Sequence, residues 1–190
     1  MKLKSEAHVY LPMLFKCEGV PPSIVVDNSK EKSLVKLATK CREDGFHLVD
    51  IDPYYSWMMA AKGCIKQLNQ GLSRKMLKLS SPKRLWDHCI ELEALIRSNT
   101  ALDIYGIECQ VPETVRTGQT VDNSNLCEYE WLQCVMYYQP KEGYPDDSMA
   151  LGRYLGPAID VSNAITYKML LMDGNYVYCS AICTWTPVEE

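Results

Sequence analysis

Apolar residues recur at helical spacing over much of the first hundred positions, lose any clear period between 103 and 150, and turn strand-like from 151 onward. Residues 4–18 read as a helix with Ala7, Leu11, Leu14 and Phe15 on one side. Pro12 weakens it, Gly19 is a natural stop, and Pro21-Pro22 forbid continuation. Ser23-Ile24-Val25-Val26 is a short β-branched run, read as a buried strand that ends at Asp27. Residues 31–44 predict an amphipathic helix through Leu34, Leu37, Ala38 and Cys41, stopped by Gly45, and Phe46–Ile51 a second strand.

A long helix is expected from Trp57 to Leu79, capped by Ser56, and Ser81-Pro82 opens another with a wide apolar face through Leu85, Trp86, Cys89, Ile90, Leu92 and Ile96. Residues 103–150 read as a connector with short elements. Arg153–Leu155, Ile165–Met172 and Tyr176–Ile182 are β-prone, and Asp173-Gly174-Asn175 is a hairpin turn. Strands alternating with helices predict parallel β-α-β pairing at the start of the chain. The expected core of the helical half is Leu34, Leu37, Ile65, Leu68, Leu85, Trp86 and Ile90, and Trp86, Trp131 and the tyrosines are assigned to cores in preference to stacking platforms.

Composition adds limits. With 47% hydrophobic and 23% charged residues in 190, the chain has a globular balance, no apolar stretch long enough to cross a bilayer, and no signal-peptide order at its start, so an intracellular protein is expected, nucleus or cytoplasm. The nine cysteines include no Cys-x-x-Cys pair, and the three histidines lie away from paired cysteines, which argues against a disulfide framework or zinc site. Charge is uneven: residues 1–84 carry 15 Lys/Arg and 8 Asp/Glu, residues 85–190 carry 5 and 16. Lys62, Lys66, Arg74, Lys75, Lys78, Lys83 and Arg84 follow one another with no acid between Lys62 and Arg84, which suits a polyanion, although lysines on an amphipathic helix are as readily its solvated face.

An aspartate at the end of a buried strand, such as Asp27, projects toward the crevice where α/β ligands bind; capping of the following helix is the plainer local reading. The wider sequence carries a resemblance. Gly19-Val20-Pro21-Pro22-Ser23-Ile24-Val25-Val26-Asp27-Asn28-Ser29-Lys30-Glu31 is similar to the retroviral-type integrase pattern of a strand followed by Asp-Asn-Gly-x-Glu. The segment from Asp52-Pro53-Tyr54-Tyr55 to Lys62-Gly63 resembles the one that opens the third catalytic helix. Leu85-Trp86 with Asn99, Pro112-Glu113-Thr114 with Gly118, and Gly152-Arg153-Tyr154-Leu155-Gly156 look like later segments of copia-type retrotransposon polyproteins. These five pieces occur in order and span nearly the whole chain.

The resemblance implies an α/β fold: a truncated RNase H-like core without its first strands over 1–102, a connector over 103–150, and a small β-meander or SH3-like module over 151–190. Such integrases are metal-dependent polynucleotidyl transferases in which two Asp and one Glu hold two divalent ions, normally Mg2+. Asp27 matches the second Asp. The first Asp has no counterpart. Lys62, 35 positions after Asp27, stands where the family has its Glu. An ammonium cannot ligate magnesium, so the expectation is an incomplete metal site at Asp27, no bound Mg2+ and no catalysis. The function implied is that of an integrase-like fragment with residual, sequence-independent DNA binding through Lys66, Arg74, Lys75, Lys78, Lys83 and Arg84. A protein-interaction module presenting the acidic half, or a decayed fragment without a selected role, are the alternatives. A homo-oligomer is the other partner considered, and a membrane is not.

Overall fold

The computed structural model describes residues 7–27, 33–45, 47–51, 60–103, 108–139, 148–159, 161 and 166–185. Packing divides the chain into two compact units, residues 1–65 and 66–190.

In the first unit α1 (Ala7–Glu18) accommodates Pro12 in its interior, and the chain leaves it through Gly19, whose N–H closes on Phe15 O at 3.0 Å. The β-branched run becomes β1 (Ser23–Asp27), α2 spans Ser33–Glu43, and β2 (His47–Ile51) lies parallel to β1, with Val25 opposite Val49 and Asp27 opposite Ile51. This is the expected β-α-β order. Cys41, at the inner side of α2, is buried, and burial pushes its thiol pKa up. Val25 and Val49 remain half exposed on one face of the two-stranded sheet. Leu34 and Leu37, expected in the core, lie outside the described side chains.

The helix α3 (Ala60–Lys78) runs from the first unit into the second. Beyond it, a single 3-10 turn (Lys83–Leu85) leads into α4 (Trp86–Asn99), then α5 (Pro112–Thr117) and α6 (Ser124–Cys127). The Pro-Glu-Thr segment makes α5, with Pro112 in its first turn, where a missing N–H costs nothing, and an Arg116–Glu113 pair along it. The sheet comprises β3 (Cys134–Tyr138), β4 (Met149–Pro157), β5 (Tyr167–Leu170), β6 (Tyr176–Cys179) and β7 (Ile182–Thr184), all antiparallel in the order β6-β5-β4-β3-β7. The strand signals read from Leu151 onward are present, but the sheet also takes β3 from the stretch read as connector, and β3 sits between two neighbours.

Strands β6 and β7 lie at opposite ends of that order yet only Ser180-Ala181 separates them. Four strand spacings in a flat sheet amount to about 19 Å, while three Cα steps reach about 11 Å. The sheet is therefore strongly curled. Its concave side holds Tyr129, Val135, Tyr154, Tyr167 and Met169. On its outer side Leu155 meets Leu85, Cys89 and Leu92 of the helices together with Trp131 and Leu132, with Leu72 and Met76 of α3 packed alongside. Gly156 is the hinge of this arrangement. It adopts φ 140° at an irregularity in the β4–β5 register, a conformation that L side chains rarely adopt, and brings the strand against Leu92, whose Cδ1 would lie 3.5 Å from an added Cβ.

Two core expectations need correction. Trp86 is 56% exposed and Ile65 58% exposed. The core-facing stripe runs from Leu85 of the 3-10 turn through Cys89, Leu92 and Ile96 of α4, and Trp86, about 60° from Cys89 on the side away from the rest of that stripe, is not among the residues packed there. Trp131, in contrast, is buried and donates its indole N–H to Ser81 Oγ at 3.1 Å. Among the described residues no helix is long and apolar enough to cross a membrane.

Candidate nucleic-acid interface

The sequence-expected site residues fall into two groups. Asp27 closes β1 and Lys62 lies in the first turn of α3, both in the first unit. Lys66, Arg74, Lys75, Lys78, Lys83 and Arg84 belong to the second.

On α3, residues four apart share a face. Lys66, Gln70, Arg74 and Lys78 form such a row, and all four are exposed. The apolar residues Leu72 and Met76 turn the other way, into the core beside α4. Lys83 and Arg84 extend the cations past the helix end and are also exposed. The Arg84 guanidinium lies over the β5–β6 turn, where a Cβ built on Gly174 would be 3.2 Å from Nη1 and Nη2. The carbon stem of a cation held this way is partly immobilised while its charge still faces solvent.

Lys75 is placed differently. It turns toward α4 and its Nζ sits 2.8 Å from Glu93 Oε2. Glu93 is the buried charged residue of α4, its side chain 10% exposed. Lys78 also has an acidic neighbour, Glu130, at 3.9 Å, but both side chains are more than two-thirds exposed, so that pair is weak and readily exchanged for another anion. Among the described residues, Lys66, Arg74 and Lys83 meet no acidic partner, Arg84 and Lys78 are lightly held, and Lys75 is committed to the helix pair.

Two polar assemblies escaped the sequence reading. One is the Lys75–Glu93 pair, with Arg97 of α4 bonded to Gln67 of α3 two turns away. The other lies in the curled sheet, where Tyr129 and Tyr167 both donate to the Glu128 carboxylate, at 2.9 and 2.8 Å, and Tyr154 donates to Asn125 O at 3.4 Å. The three rings stand 5.4–5.9 Å apart in edge and tilted contact. Burial first, then the Glu128 hydrogen bond, pushes the Tyr129 phenol up to about 12; Tyr154 and Tyr167 move up as well, burial again leading. No signal in the local sequence links Glu128 to Tyr167, 39 positions apart.

Among the described residues no three His, Cys, Asp or Glu side chains come together in a way that could hold a metal ion.

No protein-family model matches the sequence. Among solved structures, the chain is similar to one in the cryoEM structure of the simian T-cell lymphotropic virus intasome in complex with PP2A regulatory subunit B56 gamma, with a TM-score of 0.42 and 11% identity, covering 100% of this chain and 69% of that one. That likeness is too distant to bear on function.

Proposed function

We propose that the chain is integrase-like, of copia-type retrotransposon origin and with an RNase H-like core, and that it holds nucleic acid without cutting or joining it. The observation that carries the binding half is the exposed row Lys66, Arg74, Lys78 with Lys83 and Arg84 beyond it, in a stretch with no acid between residues 62 and 84. Cations on one helix face with no interleaved acids meet phosphates along a backbone and read no bases, so binding is expected to be sequence-independent. The inactive half rests on the donor set. In the family a metal pair supplies the activated attacking oxygen and stabilises the leaving one. Here the ammonium of Lys62 stands at the position of the glutamate and offers no lone pair, so Asp27 has too few companions to hold such a pair. No chemical step through a metal is assigned to this chain.

The test is retention on random duplex DNA across a salt series. Expected is binding that falls steeply and log-linearly with salt, equally for unrelated sequences, and that drops when Lys66, Arg74, Lys83 and Arg84 are changed together to Gln. Salt-insensitive binding, or retention untouched by the fourfold change, would return these side chains to an ordinary solvated face.

A further inference from the structure

Between α3 and α4 the chain reads Ser81-Pro82-Lys83-Arg84, a serine followed at once by proline and then by two cations. The one other serine or threonine that precedes a proline, Thr186, is followed by Val188 and Glu189, so the basic pattern belongs to Ser81 alone. The fold presents it on an elbow. α3 ends at Lys78, and its last carbonyls are taken by Ser80 N–H on Leu77 O at 3.2 Å and Ser81 N–H on Met76 O at 2.9 Å. Ser80 turns the chain out of the helix with φ 47°, in the left-handed region, and Pro82 runs on extended at φ −56° and ψ 134°. Ser80, Pro82, Lys83 and Arg84 are exposed, and Ser81 is half-buried, its oxygen accepting the Trp131 indole N–H. An extended Ser-Pro step followed by cations has the shape and charge that proline-directed, basic-selective protein kinases accept. The fixed φ and missing N–H of proline suit a strand-like substrate, and the cations answer an acidic cleft.

We propose that Ser81 is the acceptor for such a kinase and that its phosphorylation releases the chain from nucleic acid. The switch rests on the nucleic-acid reading of the α3 row and adds regulation to it. In the transfer, Ser81 Oγ bonds to the γ-phosphorus of ATP, the bond from that phosphorus to the β,γ-bridging oxygen breaks and ADP leaves, and the hydroxyl proton passes to the kinase's catalytic carboxylate. The product carries a charge of about −1.5 to −2 at neutral pH. It stands within three residues of Lys78, Lys83 and Arg84, three of the cations expected to meet phosphates. A phosphoserine there is an intramolecular copy of the DNA phosphate. It neutralises about two cations before any polymer arrives and repels the backbone that would replace it. Lys78 can turn to it, since the pairing with Glu130 at 3.9 Å is weak.

The experiment incubates the full folded chain with ATP and a purified kinase of the cyclin-dependent class, locates the phosphate by mass spectrometry, and compares retention on random duplex DNA before and after, across a salt series. One phosphoryl group on Ser81 is expected. Ser81→Ala should abolish it, but that change also takes the acceptor from a buried indole and weakens the fold. Pro82→Ala should abolish it too, while keeping the serine oxygen and its bond to Trp131. Unmodified Pro82→Ala should bind DNA like the natural chain. The phosphorylated natural chain should bind roughly tenfold or more weakly at moderate salt, with a log–log salt slope smaller by about 1.8, two lost contacts at about 0.9 each, and a phosphatase should restore both. Phosphate that reaches Ser81 only in heat-unfolded chain, or never, overturns the proposal, as does equal labelling of Pro82→Ala. Release that accompanies loss of the cooperative thermal transition overturns it as well. Phosphorylated chain that binds DNA as tightly as unmodified chain overturns the switch and leaves the α3 row in place. Unmodified chain that fails to bind overturns the nucleic-acid reading and the switch together.

Discussion

Glu93 of α4 and Gly71 of α3 occupy one point in space: a Cβ built on Gly71 would lie 2.5 Å from Glu93 Cδ. The helices cross there because position 71 has no side chain, and the carboxylate that fills the gap is held by Lys75 one turn further along α3, 2.8 Å away. Gly71→Ala should therefore cost about 1–3 kcal/mol of unfolding free energy, the range for overpacking a fitted core. The check is urea unfolding of the variant against the parent. An unchanged midpoint would mean that Glu93 swings out of the crossing at no cost.

Removing one member of the pair should hurt more than removing both. Lys75→Met leaves a buried carboxylate uncompensated, a loss of about 3 kcal/mol or more, whereas Lys75→Met with Glu93→Leu should recover most of it. The same substitutions sort the roles on α3. Lys75→Met should lower stability with little change in the salt slope of DNA retention, and Arg74→Gln should lower that slope by about 0.9 per lost phosphate contact while leaving stability alone. A double-mutant cycle together with the salt series reads both quantities.

Alkaline pH should loosen the curled sheet. The Tyr129 phenol, ordinarily near 10, sits at about 12 in the folded chain because it is buried and bonded to Glu128, and Tyr154 and Tyr167 shift the same way. The folded state thus holds these protons more tightly than the unfolded state. The stability they contribute is complete below the unfolded phenol value near 10 and drains away as pH rises through the folded values. Unfolding free energy from pH 8 to 12 should be flat and then fall, and phenolate absorbance should separate slow buried tyrosines from the exposed ones. Glu128→Leu should destabilise by about 1–3 kcal/mol at neutral pH, since the Tyr167 hydroxyl loses its acceptor and Tyr129 keeps only the Ile182 carbonyl, 3.3 Å away. Full titration of every tyrosine near 10 without unfolding would contradict the triad.

Catalysis should be absent from the natural chain. With Lys62 at the position of the family glutamate, it should neither process nor join DNA ends with Mg2+ or Mn2+. Joining by the natural chain that disappears in Asp27→Asn would show that the donor set is complete in some other way.

How far the sequence announced this architecture depends on what each element faces. β1 was legible because Ile24, Val25 and Val26 are a β-branched run between Pro22 and Asp27, and the α4 stripe was legible because Leu85, Cys89, Leu92 and Ile96 keep helical spacing. Trp86 was misplaced because an apolar neighbour of that stripe looks the same in sequence whether or not another element covers it. β3 was missed for a related reason. Its inward Val135 and Tyr137 alternate with outward residues that are also apolar, so the period-two contrast that marks a half-buried strand is erased by Met136 and Tyr138. Of the cationic site, the row on α3 could be read from spacing alone. The diversion of Lys75 could not, because Glu93 reaches it from another helix.

Amide exchange offers a further comparison between the units. Among the described residues β1 pairs with β2 alone, whereas Val135 is fully buried on a strand bonded on both sides. The amides of Ile24–Val26 should exchange well before that of Val135. Equal protection in dilute monomer would mean that the free side of β1 is covered.

The two-residue link at Ser180-Ala181 has a consequence in time as well as in shape. Val135 meets its β4 partner Gly152 within a short stretch of chain but waits for Thr184, 49 positions on, to gain its second neighbour. The β3–β4 hairpin has little loop entropy to overcome, while the β3–β7 seam needs the whole sheet to roll up first. The seam should therefore be the last part of the second unit to assemble and the first to open. A Gly-Ser insertion between Ser180 and Ala181 should speed unfolding far more than it slows folding, making this short turn the latch of the curled sheet.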